Sequence, residues 1–477
     1  MTPVRIGTVF AALLSMAAIA WAGADKPQVI VIKAARIHTV SGDPIEGGMI
    51  VIRDGRIEAV GRELAIPTGA RVLDLAGSVV TPGLIDACCA VDCEVMEEAS
   101  GGVYLSAQPS FWNRLADRVQ HQRDNPEHVG TPLFDDLPTF AGDLAFTIPA
   151  SATWSEEVSE VTPHRRVIDS INLLSHDFAR LMKGGVTTVY VSADSTNVIG
   201  SRGAIVKTAG PLANRIVRPA DAVKATMGGD PSQRGQSNVL PPPYGPAPSF
   251  HTRRPTTRMG VDWVFRKSFY DARRARAGLE LHGADMPPSQ AIPVLQDILD
   301  GKVPLRIQAR MQHDIFSALR LADEFNLKFT LEEATEAYRC LPQLKAVGVP
   351  VIFGPIFMTP TGYRGLTDEV KRARLNSPKQ IADAGIELAL TAQEMRDEEG
   401  LVRQGMVAVQ NGLPADKALR AITSTPAAML GLASELGTVT PGARADLVVW
   451  SAEPFDATSR PLVVLIDGRI VYDVQQE

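Results

Sequence analysis

The chain has 477 residues, 45% apolar and 21% charged, with a formal net charge of -6. This is an ordinary globular balance, too long for one small domain, and it excludes a disordered or collagen-like chain. No lysine- and arginine-rich block supplies the basic surface that nucleic acid requires, so no nucleic acid partner is expected.

Residues 1–24 read as a secretory signal peptide. Arg5 gives a positive start, residues 6–22 carry no charge, and Ala20-Trp21-Ala22 and Ala22-Gly23-Ala24 are small-any-small cleavage triplets. The expectation is export to the periplasm or the exterior, with a mature start near Gly23 or Asp25. An uncleaved anchor is the other reading, since a 17-residue apolar stretch is just long enough to span a bilayer. No membrane association beyond this segment is expected. Export would place Cys88, Cys89, Cys93 and Cys340 in an oxidising compartment. Four cysteines in so long a chain are no disulfide framework; core packing, one disulfide and a soft-metal site all stay open.

Residues 29–74 read as short strands. "GGMIVIRDGRIEAVG" has alternating apolar runs around Asp54-Gly55, a strong hairpin signal. The far end answers it with "PLVVLIDGRIVYD" and Asp467-Gly468. Residues 27–80 and 437–477 are therefore expected to join as one small β-sandwich built from both termini. Between them, residues 81–436 alternate. "GVTTVYVS", "GAIVKTAG", "VPLRIQAR", "KFTLEEA", "VPVIFGP" and "IELALTAQ" read as strands beside helical patterns. One such helix is "HDIFSALRLADEFN", with Ile315 and Leu319 one turn apart and Asn326 at its end; another helical stretch covers 168–184. The fold class is α/β, and a (β/α)8 TIM-like barrel of residues 81–436 fits best. Two inserts break the rhythm: 94–165, punctuated by proline, and 229–256, rich in proline, glycine and serine and read as a long loop.

Four stretches carry a resemblance. They are "VVTPGLIDA", "GGVTTVYVSADSTNVIGSRGAIVKTAG", "HDIFSALRLADEFNLKFTLEEATEAY", and "ALRAITSTPAAMLGL" with "LGTVTPGARADLVVWSAEPFD". From Val29 to Tyr472 the chain resembles the amidohydrolase superfamily, in particular its imidazolonepropionase-like branch. The resemblance implies a barrel centred on one or two divalent metals, usually zinc, beside a small β-sandwich. It also implies hydrolysis of C–N bonds in amides, cyclic imides and small peptides, through a metal-bound water.

The same resemblance locates the ligands, and here the chain departs from it. After "PGLID" the family carries two histidines two residues apart; this chain has Cys88 and Ala90. On the fifth strand Gln308 stands for histidine, and Arg310 occupies the next position on the same face. On the sixth strand Glu332 is followed by Glu333 where histidine is the family residue, and on the last strand Gln393 replaces an aspartate. The family's bridging lysine corresponds to Lys207 or Lys224. Arginine cannot give up its charge, and no two of the eight histidines stand two residues apart. The expectation is a degenerate member: no catalytic residue, no metal or other cofactor. Arg310 would pair with Glu332 or Glu333, or with a small carboxylate or amide ligand. Two alternatives stay open. One is an active C–N hydrolase rebuilt around Cys88, Glu333 and Glu94, or using Cys88 or Cys89 as nucleophile. The other is a partner-binding structural barrel whose inserts make the contact. A homo-oligomer is also left open.

Overall fold

A computed structural model describes residues 29–91, 159–193, 195–233, 255–283, 286–356, 369, 372–393 and 400–476. The leader, Cys93, Glu94, most of the 94–165 insert and residues 234–254 of the second insert lie outside the described residues.

The chain opens with β1 (Val29–Ile37), β2 (Ile45–Arg53), β3 (Arg56–Gly61), β4 (Arg71–Pro82) and β5 (Leu84–Cys89). Next come β6 (Val186–Val191), β7 (Ile199–Arg202), β8 (Ala204–Lys207), β9 (Ile216–Arg218) and β10 (Val223–Thr226). Then follow β11 (Leu305–Ala309), β12 (Phe329–Glu333), β13 (Val351–Phe353) and β14 (Leu388–Leu390), and finally β15 (Leu447–Trp450), β16 (Pro461–Ile466) and β17 (Arg469–Asp473).

The two ends of the chain form one seven-stranded sheet in the order β17-β16-β15-β4-β1-β2-β3. Side chains alternate across a strand, and in β15 that alternation serves two cores. Leu447 and Val449 join Ile30, Ile32 and Ile50, whereas Val448 and Trp450 join Leu84, Phe178 and Val186. Both faces are apolar because both are covered. Trp450 is 1% exposed, and its indole N–H donates to the Thr81 hydroxyl at 2.9 Å. Its ring rests against Gly185, where an added Cβ would stand 3.2 Å from it.

Both Asp-Gly pairs are turns with positive φ, at 51° and 80° for Asp54 and Gly55 and 49° and 70° for Asp467 and Gly468. Such turns match the twist of the strands they join. The turns also touch: a Cβ on Gly55 would lie 2.7 Å from the Asp467 carbonyl oxygen.

The central strands form two sheets. β10 to β14 run parallel in sequence order, with β7 added antiparallel beside β10; β5 pairs parallel with β6. Helices Arg258–Arg276, Ala291–Leu299 and Gln312–Phe325 separate and flank β10 to β12. The last ends as its sequence indicates, with Asn326 in the left-handed conformation. Between β6 and β10 the strand-helix alternation fails. β8 pairs antiparallel with β6, and only a one-turn helix, Leu212–Arg215, intervenes. This segment has β-branched residues interrupted by Gly200 and Gly203 and no 3.6-residue apolar period, so it folds as hairpins. The helical stretch at 168–184 is likewise shorter, running His176–Lys183 after a 3-10 turn at Val167–Asp169.

Lys207 closes β8 but does not face the strand ends where the family ligands lie. It pairs opposite Thr188, near the start of β6, and its ammonium forms an ion pair with Asp446 beside β15. Both side chains are at most 3% exposed. This corrects the sequence reading: Lys207 fastens the terminal sheet to the strands of the middle and has no place in a pocket. Lys207→Met should cost about 3–5 kcal/mol in urea unfolding, because it leaves Asp446 buried without its partner charge. Combining it with Asp446→Asn should recover part of that loss.

Candidate functional site

Residues 306, 308 and 310 share a face because side chains on a strand repeat every second residue. All three are buried, at 1–3% exposure. Arg306 lies deepest. Its Nη1 donates to Glu332 Oε1 at 2.9 Å and to the Ala87 carbonyl, and its guanidinium stacks 3.6 Å above the Tyr190 ring centre. Lys224, wholly buried on β10, places its ammonium 3.6 Å from the other Glu332 oxygen. Glu332 thus serves two cations, and Arg310 is not among them. Burial pushes the Tyr190 phenol up, so it stays neutral and donates to the Ala222 carbonyl at 3.0 Å.

Arg310 forms an outer layer. Its Nε pairs with Glu333, and its Nη1 donates to Asp230 Oδ1 at 2.7 Å. The second Asp230 oxygen accepts from Gln308 Nε2 at 3.0 Å, and Glu369 Oε2 stands 3.7 Å from Arg310. Burial acts to lower the Arg310 pKa, but the Coulombic pull of Asp230 and Glu333 outweighs it and holds the guanidinium well above its ordinary value. Adjacent Glu332 and Glu333 cannot both face inward on a regular strand. Glu333 does so by leaving it: its φ is 66° and that of Ala334 is 50°. Left-handed backbone at a non-glycine residue costs on the order of 1–3 kcal/mol, and the ion pair to Arg310 is what Glu333 gains. Asp230 opens the short helix Asp230–Gln233 just past β10. The sequence reading missed it by assigning 229–256 wholly to a loop. An aspartate after Gly228-Gly229 at the end of a strand was the available signal.

Beside the mouth, Arg258 Nε donates to Asp314 Oδ1 at 2.9 Å and its other end pairs with Glu369. Burial, the larger influence, raises the pKa of Asp314 and of Glu369; Arg258 pulls both down and Asp230 adds to the rise at Glu369. His313 is 59% exposed on the outside of this group.

The first and last strand positions also meet. Asp86, fully buried, accepts from the Cys88 N–H at 3.0 Å and the Ala392 N–H at 3.0 Å, with the Thr391 hydroxyl 2.7 Å away. Burial nevertheless pushes its pKa up, against these hydrogen bonds. No ladder joins β5 to β14 among the described residues; Asp86 spans that gap. Gln393, at φ 52°, turns its amide to 4.0 Å from Cys88 Sγ. Ala90 lies buried just beyond. Cys88, Cys89 and Cys340 are buried and form no disulfide with one another. Burial pushes the Cys340 thiol up to about 11.

Comparison with known proteins gives the family of the chain. The pattern of the amidohydrolase family matches residues 384–472. The imidazolonepropionase of Sphingopyxis alaskensis is 24% identical over 432 residues, 87% of this chain and 90% of that one. The amidohydrolase tasK of Hapsidospora irregularis is 23% identical over 341 residues, 67% of this chain but only 34% of that longer relative. The fold is similar over 93% of this chain to an amidohydrolase from Thermotoga maritima, covering 100% of that structure with a TM-score of 0.71 and 25% identity. The chain belongs to the amidohydrolase superfamily. It has that superfamily's TIM-like barrel and second domain in a mixed α/β fold.

In an amidohydrolase the residues at the strand ends must offer free imidazoles or carboxylates to a divalent metal. Among the described residues the donor set does not fit one. Glu333 and Asp230 are engaged by Arg310, Gln308 by Asp230, and Gln393 faces a thiol. Among the described residues no three His, Cys, Asp or Glu side chains are grouped to hold a metal ion.

Arg310→Ala should destabilise the protein by about 3–5 kcal/mol, read from urea unfolding, because it strands buried carboxylates. Adding Glu333→Gln should restore part of it. A pH dependence follows from Asp314 and Glu369. Their folded pKa values are raised, so their contribution to stability is fully present below the ordinary carboxylate range and is lost as pH rises through the folded values. Urea midpoints measured from about pH 4 to 7 should fall less steeply in Glu369→Gln than in the parent.

Proposed function

We propose that this chain is an exported pseudoenzyme of the amidohydrolase superfamily, related to hydrolases of carbon–nitrogen bonds, in which a guanidinium has taken the place of the catalytic metal. In this reading the parallel strands close as a (β/α)8 barrel, and Arg310 sits where close relatives carry a metal-ligand histidine. The observation that carries the reading is the Asp230–Arg310–Glu333 arrangement. Its guanidinium cannot deprotonate, and at ligand distances it repels a divalent cation strongly in a buried setting. The carboxylates that would bind a metal already neutralise this fixed charge.

Of the rebuilt alternatives, Cys88 has the neutral Gln393 amide 4.0 Å from its Sγ, and Glu94 lies outside the described residues. No helix among the described residues is long and apolar enough to cross a membrane.

Elemental analysis of the purified mature protein should find no stoichiometric zinc, manganese or iron. A screen of amides, cyclic imides and dipeptides should show no hydrolysis, with or without added zinc. One metal ion per chain that disappears in Cys88→Ala would overturn the proposal in favour of a rebuilt site. N-terminal sequencing of the secreted fraction should begin near Gly23 or Asp25; recovery of Met1 from a membrane fraction would refute export with cleavage.

A further inference from the structure

We infer that the cleft between the two Asp-Gly turns of the terminal sheet and residues 213–217 binds a small polyol phosphate, with its phosphoryl group on Arg56 and Arg469 and its hydroxyls on Asp54. The cleft shares no residue with the cluster around Arg310, so the inference does not depend on whether the barrel holds a metal.

The sequence repeats Asp-Gly-Arg-Ile at 54–57 and 467–470. Each copy makes its own hairpin, and the fold sets the two turns against each other. A Cβ on Gly468 would stand 2.8 Å from the Gly55 Cα, so the glycines meet backbone to backbone. The arginine after each glycine therefore arrives at the same place. Arg56 and Arg469 both line one cleft of about 910 Å³, within the size range of small-molecule sites. Asn214 and Ile216 complete the lining from the segment that follows β8, and Ile216 is 40% exposed there.

The charges select the ligand. Arg444, the third arginine of the cleft, is already engaged: its Nε donates to Glu435 at 2.7 Å and its Nη1 to Asp467 at 3.0 Å. Arg56 is steadied by one nitrogen, its Nη1 donating to the Gly442 carbonyl at 2.7 Å. Neither Arg56 nor Arg469 has a carboxylate within ion-pair distance among the described residues, and Asp54 is exposed without a cation. Three arginines against Asp54, Asp467 and Glu435 leave the cleft neutral as a whole, which does not suit a polyanion. Two guanidiniums and one carboxylate stay open within it. One bidentate arginine fills a planar carboxylate, whereas a tetrahedral phosphoryl group accepts from two guanidiniums at once. Asp54 repels a second anionic group and accepts from hydroxyls, and the Asn214 amide can do both. A single phosphate on a short hydroxylated body meets each of these demands.

The test is calorimetric titration of the full-length protein at low ionic strength with glycerol 3-phosphate, propyl phosphate, glycerol and acetate. Glycerol 3-phosphate should bind saturably at one site per chain. Propyl phosphate should bind about threefold or more weakly, the loss of an ordinary hydrogen bond, and glycerol and acetate should not saturate. Arg469→Met should weaken glycerol 3-phosphate at least about tenfold, the loss of hydrogen bonds between charged groups. Arg320→Met removes another exposed arginine, on the helix Gln312–Phe325, and should leave binding unchanged. Circular dichroism checks that both variants fold; if Arg469→Met does not, the probe series on the parent protein still decides. No saturable binding of glycerol 3-phosphate, equal or tighter binding of propyl phosphate or acetate, or a loss in Arg469→Met no larger than in Arg320→Met would each overturn the inference.

Discussion

The buried Arg310 guanidinium holds a charge that no pH accessible to the protein removes, and its surroundings are shaped by the need to neutralise it. Asp230 and Glu333 do so from two different strand ends, and Glu333 accepts a left-handed backbone to reach it. One layer deeper the same logic repeats with opposite stoichiometry: Glu332 stands between Lys224 and Arg306. Glu369, 3.7 Å from Arg310, adds a further carboxylate, which Arg310 shares with Arg258. Buried ions are tolerable only when paired this closely, so a change at any one of these residues constrains the others.

The network depends on a frame that holds strand ends in register. The Gln308–Glu332 and Ala309–Glu333 pairings set the height of each acidic side chain against β11. Asp86 fixes β5 against the end of β14, where no ladder runs among the described residues. The two-faced sheet from the chain termini carries the other end, with Trp450 against Gly185 and Lys207 against Asp446. The frame therefore reuses the motif aspartate of "PGLID" as a brace, accepting hydrogen bonds from the backbone.

Much of this was legible in the sequence because it follows from periodicity. Asp54-Gly55 and Asp467-Gly468 announce tight hairpins, and the spacing of Gln308 and Arg310 puts them on one face without further information. What escaped depends on tertiary contact. Asp230 meets Arg310 across 80 residues, and its local signal, an aspartate after Gly228-Gly229, does not name that partner. Glu333 turns inward only because its φ is positive, which strand alternation does not foresee. Lys207 and Lys224 each close or interrupt a short apolar strand, and only the partner, Asp446 or Glu332, tells them apart. The hairpins between β6 and β10 were read as barrel alternation because β-rich runs look alike whichever way they pair.

The order of the terminal sheet has a consequence for how the protein is made. β4 lies between β1 and β15, so its second ladder is contributed by residues 447–450, near the end of the chain. While the polypeptide is still being synthesised, β1 to β4 can assemble, but β4 keeps an open edge over Val79–Pro82, and Val80 lacks half its cover. Open apolar edges recruit other strands. A chain stopped anywhere before β15 is thus a sticky intermediate, and the arrival of residues 447–450 is what shields it from its neighbours.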